Sequence, residues 1–321
     1  MQQSVMTVTG PVPLDDLGVT LMHEHFTFAY PGWYADDSLA PYHRSEAQSG
    51  CLAVLEDVEK LGVKTIVDAT PADVGGRDPG LLRELSIRSG VNIIAATGLF
   101  PERAGAGNYY KWQSSIRGRN LEGDLCELFS TELTRGIRGS SVRAGIIKVA
   151  TGDPGITGYE ATVFKAAVKV AKETGVSIIT HTEAATVAPD QQDLFLELGA
   201  NPERIMIGHQ NNSEDIGYAL SQLKQPGFYL GFDRCNPLMS ASSEDNIVSL
   251  VLQGHGDRIM LSHDCIFFWL GRPGSLPPQY ASWYPDYLFK KILPKMKAAG
   301  VTDKQIRGIF VDNPRRFFGG S

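Results

Sequence analysis

Two histidines one residue apart, His23 and His25 in Leu21-Met22-His23-Glu24-His25, are the first side chains of this 321-residue protein with the types and spacing for metal chemistry. Alternate residues of a β-strand share a face, so both imidazoles can grip one ion while Glu24 points the other way. Taken alone, the pair is weak evidence, since two strand-end histidines that are only solvated or hydrogen-bonded account for it more simply. What raises it is the position of the other metal-competent residues: Lys148, His181, His209 and Asp264 each close a later β-rich run.

Eight such runs can be read, at 17–25, 64–69, 91–98, 143–149, 176–181, 204–209, 227–232 and 258–264, with helical patterns between them. That alternation predicts β/α units around a parallel sheet, and eight units can close a (β/α)8 TIM barrel. In a closed barrel the carboxyl ends of all strands share one rim, so His23, His25, Lys148, His181, His209 and Asp264 should converge there.

The helices carry their own signals. Ser45-x-x-Gln48, Thr157-x-x-Glu160 and Thr302-x-x-Gln305 each have the form of a capping box, and Ala161, Phe164, Val168 and Ala171 recur at helical spacing before a stop at Gly175. Asn313-Pro314 suggests a break before a last short helix. Two stretches, Phe100 to Leu121 and the loop 265–285, are long and follow strands, so they should overhang the pocket.

A chain with 42% hydrophobic and 21% charged residues can bury a large core, and one barrel domain over 1–321, with 1–15 as lead-in, is the simplest organisation. A formal net charge of -6 and the absence of a Lys or Arg stripe argue against nucleic acid or an acidic membrane as partner. Met1 to Gly10 has neither a basic head nor a long apolar stretch, which points to a cytoplasmic protein, and four scattered cysteines without C-x-x-C spacing point to free thiols.

The motifs Leu21 to His25, Ile147-Lys148-Val149-Ala150-Thr151, Thr180-His181-Thr182-Glu183, Ile207-Gly208-His209 and Leu261-Ser262-His263-Asp264 resemble the phosphotriesterase family of the amidohydrolase superfamily. The similarity spans nearly the whole chain, includes Gly231-Phe232-Asp233-Arg234, and is greatest to the lactonase-like group. It implies that one divalent ion is held by His23, His25 and Asp264 and a second by His181 and His209. Lys148 would bridge them as a carbamate, because an ammonium cannot ligate a cation. Zinc is the default, with cobalt, manganese or iron able to replace it. Two such ions sharing a water lower its pKa towards neutrality and polarise a carbonyl or phosphoryl oxygen, and Asp264 is placed to relay the proton to the leaving oxygen. The resemblance also implies a homodimer. His263, His43 and His255 are read as structural or ordinary polar histidines, and Cys265 as no nucleophile.

The substrate clues divide. Arg234 matches an arginine of the lactonase-like members and could bind the oxygen of a lactone or ester, or else be tied up in an ion pair with Asp233 or another acid. Phe100 stands where those members carry a tyrosine, which leans towards a phosphotriesterase pocket, with Tyr109 or Tyr110 as substitutes for the missing phenol. Phe267, Phe268, Trp269 and Leu270 follow Asp264 and are expected to form an apolar wall over the site, or to pack the loop onto the barrel. The sequence therefore predicts a hydrolase of lactones or carboxylic esters with side activity on organophosphate triesters. The alternatives are a dedicated phosphotriesterase or aryl esterase, and a ligand-binding barrel without turnover.

Overall fold

The alternation of β-rich and helical runs resolves, in a computed structural model, into a parallel barrel ringed by helices. The structure describes residues 3–183, 187–238, 241–271 and 282–320, without the side chains of 241 and 242. An antiparallel hairpin, β1 (Ser4–Thr7) and β2 (Gly10–Pro13), precedes the barrel strands β3 (Val19–Phe28), β4 (Val63–Asp68), β5 (Asn92–Gly98), β6 (Ile146–Thr151), β7 (Ser177–Thr182), β8 (Ile205–Ile207), β9 (Tyr229–Phe232) and β10 (Ile259–Leu261). These eight correspond one for one to the eight runs in the sequence and pair in parallel, in chain order, from β3 to β10. A further strand, β11 (Ile266–Trp269), pairs in parallel with β3, His25 lying opposite Ile266 and Phe28 opposite Trp269.

The barrel closes where the last strand bends. β10 pairs with β9, whereas after the bend at 262–265 the chain runs along β3: the Asp264 N–H donates to His23 O at 3.0 Å and the His25 N–H to Cys265 O at 2.8 Å. One buried carboxylate pins the bend. Glu24 accepts from Ser262 Oγ (2.8 Å), the His263 N–H (3.0 Å), His263 Nδ1 (2.8 Å) and the Cys265 N–H (2.8 Å). His263 is fully buried in this network, its Nε2 accepting from the Leu288 N–H, and takes no part in the rim.

Alternation along the strands explains both the floor and the rim. Ile146, Ile179, Met206, Tyr229 and Met260 fill the barrel interior with Val67, Ile94, Phe317 and Phe318, while residues of the opposite parity join the larger core between barrel and helices. Two positions further on, the same inward face carries Lys148 after Ile146 and His181 after Ile179. Gly98, at φ 113°, sits so close to β6 that a Cβ would fall 1.8 Å from Lys148 O, so only glycine lets β5 approach there.

Among the helices, Gly158–Thr174 opens with the Thr157/Glu160 capping box and ends at Gly175 (φ 73°), and Thr302/Gln305 caps the helix at Asp303–Arg307. The box at Ser45 and Gln48 does not form: helix Arg44–Lys60 starts two residues earlier, with His43 in the cap position and no side-chain cap. Of the long stretch after Phe100, Gly107–Arg117 is helical. Of the loop 265–285, β11 is ordered into the sheet, and 272–281 lies outside the described residues. Among the described residues no helix is long and apolar enough to cross a membrane, and all four cysteines are free.

Candidate metal centre

His23, His25, Lys148, His181, His209 and Asp264 meet on the carboxyl-end rim of the barrel, all buried except Asp264, whose side chain is 12% exposed. Lys148 Nζ lies 2.9 Å from His23 Nε2; Asp264 Oδ1 lies 3.3 Å from His23 Nε2 and 3.1 Å from His25 Nε2; and His209 Nε2 lies 2.8 Å from His181 Nδ1. His209 and Asp264 sit just past β8 and β10 with positive φ, 61° and 53°. A non-glycine residue there is strained by about 1–3 kcal/mol and persists only where its surroundings over-determine it. They do: the His209 N–H donates to Asp233 Oδ1 at 2.7 Å, and the bend pinned by Glu24 fixes Asp264.

The outer nitrogens of the four imidazoles are all occupied, and this sets the tautomers. His23 Nδ1 donates to Asp233 Oδ2 (2.7 Å) and His209 Nδ1 to Asp233 Oδ1 (2.8 Å), so one buried carboxylate orients two rings. His25 Nδ1 donates to Thr70 Oγ1 (2.8 Å), whose hydroxyl in turn donates to Asp68 Oδ1 (2.6 Å). His181 Nε2 donates to Glu183 Oε2 at 2.8 Å. The inner nitrogens are thereby left as lone pairs. Those of His181 and His209 face each other, and those of His23 and His25 face the Asp264 carboxylate, an arrangement that is repulsive unless cations lie between. The donor set therefore fits metal, and His23, His25 and Asp264 form a group whose ligand atoms lie within 4.8 Å of one another. A second such group, His23, His209 and Asp233, uses the outward nitrogens already satisfied by hydrogen bonds, so its role is orientation.

Charge states agree with ligation. Burial lowers His23, brings His181 to about 4 and takes His209 well below its usual value, which keeps these imidazoles neutral. Burial also lowers the Lys148 ammonium to about 8. For Asp264 burial acts upwards, but its carboxyl is held well below the usual range, and among its neighbours the permanently charged Arg234 guanidinium, hydrogen-bonded to Oδ2, is the one that favours the carboxylate.

Arg234 faces the centre. Its partner is Asp264, with Nε donating to Oδ2 at 2.9 Å, and one Nη donates to Asn212 Oδ1 at 3.2 Å; Asp233 belongs to the histidines. Phe100 stacks at 5.3 Å from the His181 ring, in an aromatic group with Phe28, Tyr30 and Trp269, and Phe28 in turn lies 5.2 Å from His25. Trp269 thus reaches the site, whereas Phe267 packs on Phe26 and Phe268 over Gly50, both against the core beneath helix Arg44–Lys60. Tyr109 is exposed, and Tyr110 packs beside Asp73, away from the ligands.

Asp233, Thr70, Asp68, Glu183, Phe28, Tyr30 and Asp73 were not singled out from sequence. Asp73 matters because its carboxylate accepts the N–H groups of Phe100 (2.8 Å) and Ala106 (2.9 Å), holding the loop that carries Phe100. For Asp233 a signal existed: strand parity places Tyr229, Gly231 and Asp233 on one inward face.

Comparison with known proteins gives the same picture over the same length. A phosphotriesterase homology protein of Mycobacterium tuberculosis is 34% identical across 97% of this chain and 96% of its own. An aryldialkylphosphatase of Saccharolobus solfataricus is 30% identical, covering 94% and 95%. A mutant of a Deinococcus radiodurans phosphotriesterase-like lactonase, solved as a crystal structure, superimposes with a TM-score of 0.93 at 39% identity, covering 98% of this chain and 100% of that one. The phosphotriesterase family itself matches residues 3–318, so this chain, with its histidine-lined barrel rim, is a hydrolase of that family.

Proposed function

We propose that the protein is a dinuclear metal-dependent hydrolase whose preferred substrates are lactones or carboxylic esters, with side activity on organophosphate triesters. The observation that supports it most is the gathering of four imidazole lone pairs on one rim, those of His23 and His25 at Lys148 and Asp264 and those of His181 and His209 at each other. His23, His25 and Asp264 would hold one ion, His181 and His209 the other, and Lys148, as a carbamate, an edge of both. Imidazole and carboxylate donors suit zinc, with cobalt, manganese or iron as substitutes. Two such ions, when bound, supply Lewis acidity towards a carbonyl or phosphoryl oxygen and ease the ionisation of water. With its ammonium brought to about 8, Lys148 has its neutral amine, the form that adds CO2, within reach at neutral pH.

Asp264, kept ionised by its neighbours, accepts the proton released on attack and returns it to the leaving oxygen. Arg234 uses Nε and one Nη on Asp264 and Asn212, and its further N–H donors serve an acyl or ring oxygen. Phe28, Tyr30, Phe100 and Trp269 offer an apolar surface beside the ligands for the acyl or aryl part of the substrate. The second reading, a dedicated phosphotriesterase, draws on Phe100, which brings a ring without hydroxyl to His181.

Measuring kcat/KM for an N-acyl homoserine lactone, a δ-lactone, an aryl acetate and paraoxon separates the two. The lactones or the ester should lead; a paraoxon preference of several decades would establish the second reading instead. We further place the protein in the cytoplasm as a homodimer. Tyr109, Trp112 and Ile116 leave an exposed apolar stripe on helix Gly107–Arg117, and sedimentation of wild-type protein against Trp112→Glu tests that contact.

A further inference from the structure

We propose that Glu183 is a positioning residue that sets the grip of the His181 and His209 half of the centre on its ion, independently of the other half. The proposal rests on the dinuclear reading above. Three of the four imidazoles are oriented by buried groups: His23 and His209 by Asp233, His25 by Thr70 backed by Asp68. His181 alone is oriented from the surface, by a carboxylate 55% exposed yet only 2.8 Å from its Nε2. That hydrogen bond fixes the tautomer that frees Nδ1, turns Nδ1 towards His209 Nε2, and raises its basicity as a ligand. Because water competes for the exposed carboxylate, this hold is weaker than the three buried ones, and it acts on one ion only.

The backbone beneath is fixed separately. Asn212 Nδ2 donates to Thr182 O (3.2 Å) and Glu183 O (3.1 Å), so replacing the exposed side chain alters the contact with His181 and leaves the chain path in place.

The test is Co2+ binding by wild-type protein, Glu183→Ala and Glu183→Gln, read as ions per chain, as the visible Co2+ spectrum, and as two dissociation steps against a competing chelator. Circular dichroism confirms that each variant is folded. For Glu183→Ala one step should weaken by about 10- to 100-fold, as for other lost partners of ligating histidines, while the other stays unchanged. Glu183→Gln, which keeps an acceptor but not the charge, should fall between. Two ions bound with neither step moved, or with both moved alike, would overturn the assignment to Glu183 alone. A single ion per wild-type chain would overturn the dinuclear reading, and this proposal with it.

Discussion

Asp233 is buried behind the rim, and its two oxygens align His23 and His209, which the proposed centre assigns to different ions. Asp233→Asn should therefore lower affinity for both ions, by about 10- to 100-fold each, and chelator competition would register the loss in both steps. A loss confined to one step would contradict the shared role. Lys148→Met should abolish the bridge and nearly all activity; near-normal turnover with two ions retained would refute the carbamate. Arg234→Ala should reduce kcat/KM for lactones more than for paraoxon, and equal losses would reduce Arg234 to a partner of Asp264. At this scale the convergence of the candidate ligands was legible because metal chemistry restricts residue types and a barrel restricts where they fall. Their orienting partners were not. Asp233 next to Arg234 reads as an ion pair, and nothing local says that its carboxylate faces inward to two rings far away in sequence. Phe28 and Tyr30 escaped notice because β3 reads as ending at His25 but continues to Phe28.

The eighth strand is two pieces with a bend between them, β10 on β9 and β11 on β3, and Glu24 fastens the bend. Glu24→Ala would leave the His263 and Cys265 N–H groups and two side-chain donors buried without an acceptor. Each such orphan costs about 1–3 kcal/mol, so a total near 3–5 kcal/mol after relaxation is expected in urea unfolding. A loss under 1 kcal/mol would show that the seam does not depend on Glu24. All eight barrel strands could be read from alternation and punctuation, since those signals are local. β11 could not, because Ile266 to Trp269, though made of β-forming residues, follows Asp264 with no turn signal between, and its pairing with β3 is set by the barrel seam. The unformed box at Ser45 has the same cause: the helix begins where packing of Ala47 and Cys51 requires, not where the motif suggests.

For the whole molecule, buried neutral histidines make stability depend on pH. His181 is held at about 4, while in the unfolded chain it protonates near 6.5, so between those values the unfolded state binds more protons. Its contribution is complete above about pH 6.5 and is lost as pH falls through 4, amounting to about 3 kcal/mol. In metal-stripped protein, urea titrations between pH 7.5 and 4.5 should show a smaller acid loss for His181→Gln than for wild type; parallel curves would contradict this. The closing seam bears on synthesis as well. His23 meets Ser262 across 239 residues, its N–H donating to the hydroxyl at 3.0 Å. A nascent chain on the ribosome thus displays His23 and His25 long before Asp264 exists to complete their site. Closing so long a loop costs only slowly more with length, but it has to come late. Sealing the barrel therefore waits for nearly the full chain: a product ending before residue 264 lacks both the strand that runs along β3 and the carboxylate that faces His23 and His25.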